Sequence, residues 1–465
     1  MHRMSQTAVA DLFRPLLGDN RCLTDADSRQ RYGVDWTKVW APAPAVVLLP
    51  ETVEEVQQIV RLANEHHVAL VPSGGRTGLS AGAVAASGEA VVAFDRMNKV
   101  LAFDPYDRAV TVQPGVVTQQ LQEYAEQQGL FYPVDFASAG SSQIGGNIGT
   151  NAGGIKVIRY GMTRDWITGL KVVTGKGDLL DLNKGLIKNA TGYDFRHLFI
   201  GSEGTLGFVV EATVKLARQP KDLAVLVLGV PGFSEVMNVL HAFQQQLDLT
   251  AFEFFSDKAM HHVLAHGVPR PFDTEAPFYC LLEFEQLSDA AGDQAMAVFE
   301  HCVEQGWVVD GVMSQSLTQL EQLWQLRERI SESIAPHTPY KNDISVMVSK
   351  VPAFVQEVDD VVQREYPDFE IVWFGHIGDG NMHLNILKPA NLPKEEFFAR
   401  CNNVSKWVFG IVQKYNGSIS AEHGVGMTKK PYLEYSRSPE EIGYMRAVKA
   451  LFDPNGIMNP GKLLD

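Results

Sequence analysis

Apolar residues recur at helical spacing over residues 52–67, and Thr52 with Glu55 forms the signature of a capped helix start. An apolar strand over 68–71 follows and runs into the loop 72–83, PSGGRTGLSAGA. A second glycine-rich stretch, SSQIGGNIGTNAGG over 141–154, lies further on, and 189–214 ends in an alternating strand preceded by Gly201, Gly204 and Gly207. From Asp222 the pattern reads strand 224–230, helix 234–247, strand 251–255, strand 278–284, helix 289–305, strand 307–312. That β-α-β-β-α-β order predicts a ferredoxin-like sheet. A helix is expected over 317–334, with its apolar stripe at Leu320, Leu323, Trp324, Ile330 and Ile334 and with Arg327 and Ser331 on the same face. Two short strands around Gly378, Asp379 and Gly380, and a helix over 438–451, complete the reading.

At 465 residues the chain is longer than one core usually organises, so two domains are expected. Its 45% hydrophobic content and mean hydropathy of -0.08 are those of an ordinary globular protein. A net charge of -15 argues against nucleic acid and against acidic membrane surfaces as partners, so an anionic ligand needs locally placed cations. Cys22, Cys280, Cys302 and Cys401 are scattered without a CxxC, which speaks against disulfide frameworks and iron-sulfur ligation and for a reducing, cytoplasmic compartment. Residues 1–20 carry Arg3 and Arg14 but no continuous apolar run, and no later segment has the ~20 apolar residues of a membrane span.

Three groups suit a metal: His376 and His383 in FGHIGDGNMHLNI, and Glu422 in SAEHGVG. Imidazole, imidazole and carboxylate form a ligand set typical of zinc or a similar divalent ion that keeps positions open for substrate. His383 and Asn385, two apart, share a strand face. His423 follows Glu422 in a glycine-flanked loop ending a Ser/Ile strand, where it is free to act as a base. A histidine in an apolar strand is more often a satisfied core residue than a ligand, and that alternative stays open. Arg327 and Ser331 interrupt a face meant for burial. A buried ion pair with an acidic residue and a ligand site are equally consistent with them. Lys341 follows a break at 336–339 and is within reach of the same place.

The glycine loops offer backbone N–H groups to an anion, yet neither a Walker loop nor a GxGxxG fingerprint occurs. Three such segments suggest a dinucleotide held by backbone outside the Rossmann solution. The set PSGGRTGLS, GGNIGTNAGG, TGYDFRHLFIGSEGTLG, HIGDGNMHLN, AEHGVG and FDPNGIMNPGKLL resembles the FAD-linked oxidoreductases of the vanillyl-alcohol oxidase and p-cresol methylhydroxylase superfamily, over nearly the whole chain. Within it the chain is most similar to the D-2-hydroxyglutarate dehydrogenases.

The resemblance implies an α+β chain with a bipartite FAD-binding domain of the p-cresol methylhydroxylase type over 1–218 (core 42–218). A ferredoxin-like antiparallel cap with the metal site follows over 219–425, and a C-terminal segment, 426–465, returns to the FAD domain. Pro72, Ser73, Gly74, Gly75, Arg76, Thr77, Gly78 and Leu79 are then expected at the pyrophosphate. Ser141, Ser142, Gly145, Gly146, Asn147, Thr150, Asn151 and Gly153 are expected along the flavin, with Glu203, Gly207 and Val209 on the adenine side. Asn459 and Lys462 are expected near the cofactor. Arg76 occupies the place of the histidine that links flavin covalently in some members, which implies non-covalent FAD. Arg327, Ser331 (a threonine in the family), Lys341, Asn385 and His423 are the implied substrate contacts, with His423 the base. The implied reaction is oxidation of D-2-hydroxyglutarate or D-malate, with electrons passing to a soluble carrier, an electron-transfer flavoprotein. A D-lactate or glycolate dehydrogenase, a non-catalytic flavin-binding regulator, and a homodimeric state all stay open.

Overall fold

The computed structural model describes residues 4–464 and divides into two compact units. The first comprises Met1–Gly153, Met162–Gln219 and Glu422–Asp465; the second comprises Gly154–Gly161 and Pro220–Ala421.

In the first unit the helix Val53–His66 starts where the sequence places it, with Thr52 Oγ1 accepting from Glu55 N at 3.2 Å. The reciprocal arm differs, because the Glu55 carboxylate accepts from Glu51 N (2.8 Å) and Arg21 Nη1 (2.7 Å). His67, left-handed at φ 53°, stops the helix and turns the chain into Leu70–Ser73, two residues later than the apolar pattern suggests. That strand and Val46–Leu48 flank Ala90–Ala93 in parallel, with Cys22–Leu23 as an antiparallel edge. Ala90–Ala93 and Val46–Leu48 are buried throughout, which is why they read as unbroken apolar runs. A second sheet of five antiparallel strands contains Gly207–Lys215, whose side chains alternate between buried and half-buried. Phe208 and Val210 of that strand share a core with Val46, Leu70 and Val92 of the parallel sheet, so the two sheets are joined by one apolar cluster.

The second unit is built on one seven-stranded antiparallel sheet. Asp310–Met313, Leu223–Val230, Phe278–Glu285 and Leu249–Ser256 lie side by side in that order, the ferredoxin-like arrangement expected from the sequence. The sheet does not stop there. Glu370–His376 adds to Leu249–Ser256, followed by Asn381–Leu387 and Tyr340–Ser345. The helix expected over 317–334 is interrupted at Arg329, whose ψ is 0°, giving Leu317–Glu328 and Ile330–Ile334. The interruption separates the predicted pair: Arg327 is buried, Ser331 is exposed, and the buried hydroxyl is that of Ser333. No strand forms before Glu422; Ser418 makes only an isolated bridge with Ser345.

Residues 154–161 join the second unit because their cations find its buried carboxylates. Lys156 pairs with Glu283, which also accepts from Thr250 and, at 2.9 Å, from Trp324 Nε1. Ile158 would meet a side chain at Gly378 within 2.6 Å, so that glycine is required for the close approach. All four cysteines are buried and unpaired, and no helix among the described residues is long and apolar enough to cross a membrane. Removing one member of a buried charge network leaves the other uncompensated, so Glu283→Ala is expected to destabilise the second unit by about 3 kcal/mol. Thermal unfolding of wild type and variant checks this, and an unchanged midpoint would contradict it.

Candidate active site

The three glycine segments meet in the first unit around one cleft. Of the predicted residues, Pro72, Gly74, Gly75, Arg76, Thr77, Gly78, Ser142, Gly145, Gly146, Asn147, Thr150, Glu203, Gly207 and Val209 line it. Ser73, Leu79, Ser141, Asn151, Gly153, Asn459 and Lys462 do not. Asn151 has a structural role: left-handed at φ 52°, it ends the helix Ile144–Thr150, and its Oδ1 accepts from Arg164 N. Asn459, fully buried, donates to Gly82 O (2.9 Å) and Glu203 O (2.7 Å), fastening two wall segments together. Arg76 also differs from expectation. Its guanidinium makes two 3.1 Å bonds to Asp95 and lies over the Tyr32 ring, so this side chain is already paired.

The glycines divide by what a side chain would meet. At Gly75 a Cβ would lie 2.2 Å from Ser141 O, and at Gly145 2.6 Å from Pro114, so these allow segments to touch. At Gly146 and Gly149, on one helix and both in the wall, a Cβ meets no protein atom. That space belongs to the cleft. The buried Gln143 Oε1, also of a wall residue, has no hydrogen-bond partner. A bare helix face and an unsatisfied polar atom fit a cofactor held along residues 143–149. Pro114 and Phe94, outside the glycine segments, were not legible as wall residues, since only the glycine density marks this cleft in sequence.

Glu203 is a wall residue whose carboxylate turns to the chain end: it accepts from Val425 N and Gly426 N, both at 2.7 Å. Burial pushes its carboxyl up from the ordinary range, and the two backbone donors oppose that shift. It thereby fixes the loop that follows Glu422 and His423.

In the second unit the hairpin Glu370–His376 and Asn381–Leu387 pairs His376 with Asn381 and Phe374 with His383. The next strand sets Asp343 opposite His383 and Lys341 opposite Asn385. Alternation puts all of these on one face of the sheet. His376 and His383 rings stand 5.3 Å apart, and with Glu422, one peptide bond beyond the end of this unit, each offers a ligand atom within 4.8 Å of the others. Tetrahedral ligand bonds of about 2.1 Å set such atoms about 3.4 Å apart, so the three groups would close in by up to about 1.4 Å on an ion.

Glu253, which the sequence reading did not single out, lies 1% exposed and accepts from His376 Nδ1 at 2.8 Å. Its other oxygen is 2.8 Å from Arg327 Nε, an ion pair bent away from a straight hydrogen bond. The acidic partner foreseen as one alternative for Arg327 is therefore present, and the guanidinium also lies 4.6 Å over the Phe374 ring. Asp343 accepts from Asn381 Nδ2 at 2.9 Å and stands 3.9 Å from His383 Nδ1. Burial pushes the Asp379 carboxyl up to about 6. Glu253, Asp343, Asp379 and Glu422 around two histidines give an excess of negative charge, a donor set that fits a divalent cation.

Asn385 is buried, with its amide donating to Val372 O and His383 O at 3.3 Å, which makes it a fastener of these strands. Lys341 reaches solvent, yet enough protein surrounds its ammonium to hold its pKa below the usual lysine range.

Comparison with known proteins bears on both units. Residues 44–183 match the family model described as FAD binding domain, and 219–463 that described as FAD linked oxidases, C-terminal domain. The chain is 69% identical over 461 residues to a D-2-hydroxyglutarate dehydrogenase of Stutzerimonas stutzeri (strain A1501), covering 99% of each. A protein of the same name from Xanthomonas citri pv. viticola is 55% identical, with 96% of this chain and 94% of that one covered. The mitochondrial D-2-hydroxyglutarate dehydrogenase of Danio rerio is 37% identical, with 97% and 84% covered. Among solved structures, p-cresol methylhydroxylase with substrate bound superposes with a TM-score of 0.80 at 17% identity, covering 99% of this chain and 97% of that one. Alkyldihydroxyacetonephosphate synthase gives 0.73 at 19%, covering 98% and 85%. The two family models mark the chain as an FAD-linked oxidase, and its fold is shared with these two structures.

The contrast among the glycines gives a test. Gly149→Leu is expected to leave the thermal midpoint of the flavin-free protein unchanged while the flavin content on purification falls at least about tenfold, since its side chain fills only cleft. Gly145→Ala should instead lower the midpoint through its clash with Pro114. Full flavin content in Gly149→Leu would contradict the assignment of that space.

Proposed function

The chain belongs to the D-2-hydroxyglutarate dehydrogenases among the FAD-linked oxidases, and from that membership we propose that it oxidises D-2-hydroxyglutarate, and the shorter D-malate, by the following division of labour. The observation that carries the reading is the sheet face on which His376 and His383, gathered with Glu422, share a surface with Lys341 and with the Arg327 guanidinium over Phe374.

Residues in 72–78, 142–150 and 203–209 would hold FAD non-covalently, and FAD bound there would supply the acceptor for the hydride leaving C2. His376, His383 and Glu422 would hold a divalent ion, which would supply a Lewis acid lowering the pKa of the substrate hydroxyl. His423 takes the proton from that hydroxyl as C2 gives up its hydride, so one proton and one hydride leave, two hydrogens and one electron pair in all, and the alcohol becomes a ketone. Glu253 keeps the His376 ring oriented for its task, and Asp343, 3.9 Å from His383 Nδ1, adds negative charge beside the second ring. Lys341 and the terminal nitrogens of Arg327, which make no hydrogen bond to the described protein, hold the distal carboxylate. Two cations away from the metal ligands favour a dicarboxylate over D-lactate or glycolate. Ser331, exposed, and Asn385, engaged with backbone, act less directly than the resemblance implied: the first borders the substrate, the second fixes the strand that carries His383. A soluble carrier, an electron-transfer flavoprotein, would take up the electrons, and four buried unpaired thiols accord with a cytoplasmic setting.

Anaerobic flavin bleaching tests the clamp. Lys341→Ala is expected to raise the concentration of D-2-hydroxyglutarate needed for half-maximal bleaching about tenfold or more, the worth of a charge-assisted bond, while leaving D-lactate nearly unaffected. Equal losses on both would contradict this role. The depressed pKa also has a sign. The ammonium, which binds carboxylate, loses its proton at lower pH than a free lysine, so substrate affinity should weaken earlier on the alkaline side. Lys341→Arg should move that limb to higher pH, and an unmoved limb would assign it to another group.

A further inference from the structure

Glu253 lies within AFEFF, the middle of the strand Leu249–Ser256, where every residue is buried. A carboxylate is costly there unless both oxygens are compensated. A comparison is available one strand away. Glu283, opposite Ala251, is equally buried, but its partners Lys156, Thr250 and Trp324 belong to the framework. Glu253 compensates its charge on different groups: Oε1 on His376 Nδ1 and Oε2 on Arg327 Nε, each at 2.8 Å. One partner is a candidate metal ligand, and the other is a candidate substrate clamp.

We propose that Glu253 is a positioning residue that couples the metal centre to the substrate clamp, an inference that rests on the metal reading above. A neutral imidazole carries one ring proton. By accepting it at Nδ1, Glu253 leaves the Nε2 lone pair of His376 for a metal and fixes the plane of the ring. By holding Arg327 at Nε, it directs the other edge of the guanidinium, already seated over Phe374, away from itself. A single carboxylate thus sets the orientation of both groups, so a change there reaches metal binding and dicarboxylate binding together.

Glu253→Gln discriminates, because either amide orientation places an N–H where an acceptor is needed. Facing His376 it would force the ring proton onto Nε2, and facing Arg327 it would set donor against donor. The readout is zinc affinity, measured on the flavin-loaded enzyme by competition with a chelator and independently of turnover. Glu283→Gln serves as the structural control. Glu253→Gln is expected to weaken zinc binding about ten- to hundredfold, the range for partners of metal-bound histidines, and to raise KM for D-2-hydroxyglutarate at saturating zinc more than KM for D-lactate. Glu283→Gln should lower thermal stability and leave zinc affinity within twofold. Zinc affinity within twofold of wild type in Glu253→Gln, or an equal loss in Glu283→Gln, would overturn the proposal. Should Glu253→Gln fail to fold, Glu253→Asp keeps the charge but is one methylene too short to reach both partners. Weakened zinc binding or a raised dicarboxylate KM is expected from it, and wild-type values for both would again overturn the proposal. Wild-type enzyme that binds no divalent ion would remove the metal reading itself, a result distinct from either.

Discussion

A buried carboxylate must be matched by positive charge or hydrogen-bond donors, and the second unit meets that constraint at Glu253, Glu283, Glu285 and Asp343 of one sheet. Two of the four are met by framework cations, Lys156 at Glu283 and Arg159 near Glu285, both reaching in from the short segment 154–161. This explains why eight residues from the middle of the first unit's sequence belong to the second. At Glu253 and Asp343 the partners are His376, Arg327, Asn381 and, at longer range, His383. There the same electrostatic demand orients the groups that the chemistry uses. Stability and function draw on one set of charges, divided by position along the sheet.

The cofactor cleft of the first unit is governed by space rather than charge. Its wall is backbone, exposed by glycines of two kinds: those that let two protein segments touch, such as Gly75 and Gly145, and those facing open cleft, Gly146 and Gly149. Arg76, the evident cation of the first loop, is bound to Asp95, and Glu203 faces the loop after His423. A ligand carrying phosphates is therefore met mainly by backbone N–H groups, consistent with the acidic balance of the chain.

Much of this was legible in the sequence. The β-α-β-β-α-β order, the alternating strand at 207–215 and the spacing of His376, His383 and Asn385 are local patterns set by side-chain periodicity, and the structure follows them. What escaped depends on long-range pairing. Glu253 is 123 residues from His376 in sequence, and its only local mark is a charge inside an apolar strand. The strand Tyr340–Ser345, the joining of the expected hairpin around Gly378 to the ferredoxin-like four, and the cleft roles of Phe94 and Pro114 likewise follow from tertiary register. Ser331 leaves the expected buried face for a different reason: the helix breaks at Arg329, and no glycine or proline announces that break.

The central claim is that flavin reduction by a D-2-hydroxy dicarboxylate depends on an ion held by His376, His383 and Glu422. The most direct measurement is the anaerobic bleaching of the bound flavin by D-2-hydroxyglutarate in enzyme stripped with a chelator, then resupplied with zinc, against untreated enzyme. The account predicts that bleaching is lost on stripping, with flavin still bound, and returns with the metal. Bleaching at full rate in the stripped enzyme would contradict it.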